Sequence, residues 1–159
     1  MSVLAGVSAC SRAATAEEAA FRIDYPLAAA RNTRVIALDP EAERIVRSAS
    51  ELTWGQARFY TAVDPGLDLV TMAGERVPLA GEIAESNTVV LVATEGSNAE
   101  AVATIGAACK VRGIMTAGLV VTDAQHIHDA LAVLRPYARI LLVPAEEDDL
   151  VELLRATRA

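Results

Sequence analysis

From Thr88 to Arg155 the chain repeats one rhythm. A short apolar run ends at a polar or turn residue, and apolar residues then return at helical spacing. The runs are "TVVLVA" at 88–93, "IMTAGLVV" at 114–121 and "RILLV" at 139–143. Each is followed by a helical pattern: Asn98 to Val111, with Val102, Ile105, Ala108 and Cys109 on its inner face, then Ala124 to Leu134, then Glu146 to Arg155. Strands separated by whole helices are joined by crossovers and therefore run parallel. Runs that are apolar throughout need cover on both faces. With right-handed crossovers, the pattern predicts a three-layer, doubly wound α/β sandwich of the Rossmann-like kind, with a mainly parallel sheet of about five strands.

The same grammar extends upstream. In "TRVIALDPEAERIVRSAS" the run Val35 to Leu38 reads as a buried strand. Asp39 is placed to cap a helix whose first position is Pro40, and Ile45, Val46 and Ala49 follow at helical spacing. Leu67 to Met72 reads as a strand closed by a turn at Gly74, and Leu79 to Glu85 as a short helix. Residues 51–66 admit two readings. Thr53-Trp-Gly-Gln56 has the form of a capping box, whereas "RFYTAV" has the β-branched and aromatic content of a strand. The capping box is given precedence here, so a short helix is expected, ending at the turn Asp64-Pro65-Gly66. At the N-terminus, residues 1–14 read as a flexible tail. Thr15 and Glu18 form another capping box, opening a helix from Ala16 toward Tyr25. Residues 15–159 then make one α/β domain, without internal repeats.

Composition narrows the function. The formal charge is −7, a sign that repels a phosphate backbone, and no dense basic run offsets it. Nucleic-acid binding is therefore not expected. No apolar run reaches the roughly 18–20 residues of a membrane span. Cys10 and Cys109 have no metal-like spacing, and Cys109 falls among the apolar positions of its helix. "VSAC" at 7–10 has the form of a lipoprotein cleavage box. It lacks the basic residues and the long apolar stretch of a signal peptide, so a cytoplasmic location is expected. The chain carries 32 alanines, which allow helices to pack closely on one another.

In a parallel sheet, ligands bind beyond the carboxyl ends of the strands. That rule selects the loops at Asp39, Gly96, Thr122-Asp123 and Ala145-Glu146. The loop Thr94-Glu95-Gly96-Ser97-Asn98 is the first candidate for an anion or phosphate. Hydroxyls of Thr94 and Ser97, the bare backbone of Gly96 and the helix start at Asn98 would supply donors. Asp39 is a secondary candidate, as a ribose-binding acid or simply as a cap. Thr122, Asp123 and His126 are the others, His126 sharing a helix face with Asp123 and Asp129. No metal site is expected. His126 and His128 are about 200° apart on a helix, and the acids of "PAEEDDLVELL" suit a helix N-terminus.

Residues 79–122 resemble the strand–loop–helix–strand core of the tubulin/FtsZ GTPases, but the glycine-rich phosphate loop of those proteins is missing. The stretch also resembles sugar isomerase domains, whose Ser/Thr-rich loop binds sugar phosphate; here Thr94 and Ser97 alone supply hydroxyls. Response-regulator receivers share the alternation. They need an acidic pair after the first strand, an acceptor Asp after the third and a Lys after the fifth. Asp39 has no acidic neighbour before it and "LLVPAEE" has no Lys, so receiver chemistry is not expected. There is no G-x-G-x-x-G and no G-x-x-x-x-G-K-[ST], which argues against ordinary dinucleotide or P-loop chemistry.

Two classes of function remain. The first is a non-catalytic binding or regulatory module that self-associates and binds a protein partner or small ligand. The second is an enzyme or sensor for a small phosphorylated or nucleotide ligand held at 94–98. No cofactor is specified by the sequence.

Overall fold

The computed structural model describes residues 30–96, 98–122 and 127–159. The expected tail and N-terminal helix lie outside these residues, as do Ser97, Asp123 and His126. The elements are β1 (Thr33–Ala37), α1 (Pro40–Ser50), β2 (Arg58–Val63), β3 (Asp68–Thr71), β4 (Arg76–Pro78), α2 (Leu79–Ala84), β5 (Thr88–Ala93), α3 (Ala99–Arg112), β6 (Met115–Val120), α4 (Ile127–Leu134), β7 (Ile140–Leu142) and α5 (Glu147–Ala156).

One seven-stranded sheet has the order β4-β3-β2-β1-β5-β6-β7. Five strands, β2-β1-β5-β6-β7, are mutually parallel. Counted among themselves in chain order they run 2-1-3-4-5, the flavodoxin-like arrangement, whose topological switch point lies between β1 and β5. The hairpin β3–β4 joins antiparallel at the β2 edge and brings the sheet to seven.

Each parallel strand sorts its side chains onto two cores. Ile36, Val89 and Leu91 meet Ile83 of α2, Val102, Ile105 and Cys109 of α3, and Leu134 of α4. Val35, Ala37, Val90 and Val92 meet Ile45 and Val46 of α1 and Leu150 and Leu154 of α5. This is the three-layer sandwich the strand pattern predicts. β1 and β5 are buried along their whole length because both faces are covered.

The expected helix within 51–66 is absent; "RFYTAV" forms β2 instead. It lies parallel to β1, with Val35 opposite Phe59 and Ile36 opposite Tyr60. Sheet pairing and burial of Tyr60 override the capping-box pattern. Trp54, which prompted the helix reading, donates its Nε1–H to the carbonyl of Ala49 at 2.8 Å. It closes the end of α1 rather than opening a new helix. β4 was not expected, since three residues ending in Pro78 carry little strand signal.

A buried polar cluster sits where α2 crosses the sheet. Arg34 of β1 is 1% exposed, and its Nε lies 3.4 Å from Oε2 of Glu82 on α2. Arg58, the register partner of Arg34 on β2, approaches the same oxygen at 3.9 Å. The Tyr60 hydroxyl donates to it as well. Burial, then the hydrogen bond to Glu82, pushes the Tyr60 phenol up to about 12.

Two predictions follow from this packing. A Cβ placed on Gly106 of α3 would stand 2.4 Å from the ring of Tyr137. Gly106→Ala should therefore lower stability by about 2 kcal/mol in denaturant unfolding. The loss should shrink in a Tyr137→Ala background; an equal loss in both backgrounds would refute the contact. The raised phenol of Tyr60 contributes stability that is fully present below its unfolded value near 10 and is lost as pH rises through about 12. The contribution is on the order of 1 kcal/mol, since solvent screening reduces it. Ultraviolet titration should show one late tyrosinate step, and Tyr60→Phe should remove it. A single common step near the ordinary value would contradict the assignment.

Candidate functional site

The carboxyl ends of the parallel strands gather on one rim, as the strand pattern predicts. Thr94 after β5, Thr122 after β6 and Ala145 after β7 line a single cleft of about 430 Å3. α1 and the start of α5 close its flank with Glu41, Arg44, Glu146 and Glu147. The cleft is acidic on balance. The one cation among its described lining residues, Arg44, lies 2.6 Å from Glu41 and also pairs with Glu147. Glu147 and then Glu41 push the Arg44 guanidinium further above its usual range.

Asp39 stands at the switch point between β1 and β5 and is 5% exposed. Its Oδ1 accepts the Ala42 N–H at 2.8 Å, the cap of α1, and the Thr94 hydroxyl at 2.6 Å. Its Oδ2 accepts the N–H groups of Thr94 at 2.7 Å and Glu95 at 3.2 Å. One carboxylate thus takes four donors from two loops. Two of them are backbone N–H groups that would otherwise be available to an anion at the crest. A buried carboxylate must be hydrogen-bonded to be tolerated, and these donors meet that need.

Asn98 and Gly96 lie in the same set of contacts. The Asn98 side chain donates to the Leu38 carbonyl at 3.0 Å, tying the start of α3 to the end of β1. Gly96 was read as giving a ligand access to the backbone. Its own close neighbour is α4: a Cβ there would stand 2.8 Å from the backbone and Cβ of Asp129. Thr94, Gly96 and Asn98 therefore converge on one crest, joined to β1 and α4. Thr122 lies across the same cleft. Asp39 is both cap and crosslink, and its link to Thr94 was not visible in the sequence. A signal did exist, since an acid ending a buried strand needs donors from the neighbouring loops.

Among the described residues no side chain caps the first turn of α3, and Asn98 is turned toward Leu38 instead. Cys109 is fully buried, and burial pushes its thiol up. It is a core residue without thiolate character. Among the described residues, no helix is long and apolar enough to cross a membrane. No group of three His, Cys, Asp or Glu side chains among them is arranged to hold a metal ion.

Asp39→Ala should be among the most damaging single changes on this rim. It leaves the N–H groups of Ala42, Thr94 and Glu95 without their acceptor and removes the cap of α1, a loss of about 3–5 kcal/mol. Thr94→Val, which removes one of the four donors, should cost only about 1 kcal/mol. Equal effects of the two substitutions in chemical denaturation would contradict the shared-carboxylate account.

No protein-family model matches the chain, and no curated protein matches it. Among solved structures it is similar to NtrX from Brucella abortus, crystallised in complex with ADP. The alignment has 13% identity and a TM-score of 0.47, covering 82% of this chain and 27% of NtrX. The chain thus spans about a quarter of the length of that protein.

Proposed function

We propose that the chain is a non-catalytic binding module of a regulatory kind, acting through contacts with protein rather than through chemistry at its crest. The observation that carries this reading is the engagement of Asp39. In a flavodoxin-like sheet the switch point is where a ligand is expected. Here a carboxylate of the chain itself takes the donors of Thr94 and Glu95 there. An incoming phosphate would have to displace Asp39 and leave a buried carboxylate short of donors. It would also meet Glu41, Glu146 and Glu147 along the cleft.

The receiver positions point the same way. Asp39, Thr94 and Val143 stand after the first, third and fifth parallel strands, where phosphoryl transfer needs an acidic pair, an acceptor carboxylate and a lysine. Thr94 and Val143 provide neither of the last two. A flavodoxin-like regulatory domain can still present its helical faces to a partner without that chemistry.

A second reading is favoured by one feature, the first turn of α3, which no side chain among the described residues caps. It assigns Thr94, Gly96, Ser97 and Asn98 to a small phosphorylated or nucleotide ligand, with Thr122 across the cleft and Asp123 and His126 as the further candidates of that reading.

Thermal unfolding in the presence of nucleotides and sugar phosphates separates the two. The module reading expects no stabilisation by any of them. A ligand present at 100 times its dissociation constant would stabilise the fold by about 2.7 kcal/mol. A rise of that size, abolished by Thr94→Val, would overturn the first reading in favour of the second.

A further inference from the structure

The outer face of α3 is unlike that of the other long helices. α1 and α5 are amphipathic, with charged residues on the solvent side: Glu41, Glu43, Arg44 and Arg47 on α1, and Glu147, Asp148, Glu152 and Arg155 on α5. In α3, ten of 14 residues are Ala, Val, Ile, Gly or Cys. Only Ala101, Val102, Ile105, Gly106 and Cys109 are buried beneath it. A helix that is apolar all round belongs between two layers, yet among the described residues α3 has a layer on one side only.

The uncovered side carries the two most exposed large apolar residues of the described chain. Val111 on α3 is 88% exposed, and Leu67, beside it across a groove, is 63% exposed. The groove between α2 and α3 has a volume of about 410 Å3 and is lined by Leu67, Pro78, Leu79, Ile83, Ala107 and Val111 among others. A continuous apolar strip of this kind marks an interaction surface.

The charges on α3 indicate what covers it. There are three: Glu100 in the first turn, and Lys110 and Arg112 in the last. Among the described residues none of them makes an ion pair. Glu100, Thr104, Ala107 and Val111 follow one another along the outermost line of the helix, by their spacing of four, three and four residues. Two copies of that line laid antiparallel bring Glu100 of one beside Val111 of the other, between its Lys110 and Arg112. The same contact repeats at the far end, which is the self-complementarity a two-fold interface requires. Ala103, Thr104 and Ala107 at the centre are small enough for the axes to approach to about 8 Å. The antiparallel arrangement also opposes the two helix dipoles favourably.

From these features we infer that the α3 face, with the adjoining groove, is a two-fold docking surface for a second copy of this chain. It deepens the binding-module reading by naming the partner, and it uses none of the crest residues.

Sedimentation velocity of the full chain across micromolar concentrations tests it. The expected result is a concentration-dependent dimer, weakened about 100-fold by Val111→Glu. Glu100→Lys alone, and Lys110→Glu with Arg112→Glu, should each weaken the dimer. All three substitutions together should restore it, because the charges are exchanged end for end. Circular dichroism should be unchanged in every variant, and melting measured at concentrations where the wild type is monomeric should shift by no more than about 1 kcal/mol per reversed charge at a helix end. A monomer at every concentration would overturn the inference, including the case where another protein covers the face. So would a dimer that is indifferent to Val111→Glu. A monomer that also fails to respond to nucleotides and sugar phosphates leaves the crest argument standing, so the two failures are distinguishable.

Discussion

The carboxylate of Asp39 is the point on which the upper half of this molecule turns. It ends the first parallel strand, caps α1, and takes the N–H and hydroxyl of Thr94 and the N–H of Glu95 from the end of β5. β1 and β5 are adjacent central strands, and their helices leave on opposite faces. Their exits must diverge, and a divergence of two backbones exposes donors. In many α/β proteins a bound anion satisfies them. Here a side chain does, and the strand ends are held together without a ligand.

That substitution carries an energetic preference. A charged group buried at the rim is costly unless it is saturated with donors, and Asp39 has four. Displacing it would leave the carboxylate buried behind the incoming group and short of donors, a cost set against whatever the same N–H groups gave a phosphate. The acidic flank of Glu41, Glu146 and Glu147 adds to the penalty, with Arg44 already shared between two of them. The stability of the crest and the case against an anion there thus rest on the same four hydrogen bonds.

Much of the frame is legible in the sequence because burial on both faces leaves a plain signal. Runs such as Thr88 to Ala93 have one interpretation in a parallel sheet, and Asp39-Pro40 announces a helix start. The gathering of Thr94, Thr122 and Ala145 follows from that frame alone. The part misread, residues 51–66, is where local and tertiary signals conflict. A capping-box pattern around Trp54 is local, whereas the pairing of Phe59 and Tyr60 with β1 depends on a strand some 20 residues upstream. The same non-locality hides the roles of the site residues. Asp39 and Thr94 are 55 positions apart, and neither shows that it answers the other. Gly96 gives no sign in the sequence that α4 packs against it. Arg34 looks like a break in a buried strand until Glu82 arrives from α2.

The sequence does record the distribution of charge between helices, and this separates the two ends of the molecule. Helices flanking the rim, α1 and α5, spend their outward positions on Glu, Asp and Arg. α3 spends its outward positions on alanine and valine, with an acid at its start and bases at its end. Solvation alone would favour the first composition everywhere, since Val111 fully exposed gains nothing from its side chain. An apolar outer face is retained at a cost in solubility, and it is offset only when that face is covered. The inferred dimer would cover the α3 flank and leave the crest, with the Asp39 carboxylate engaged there, out of the contact.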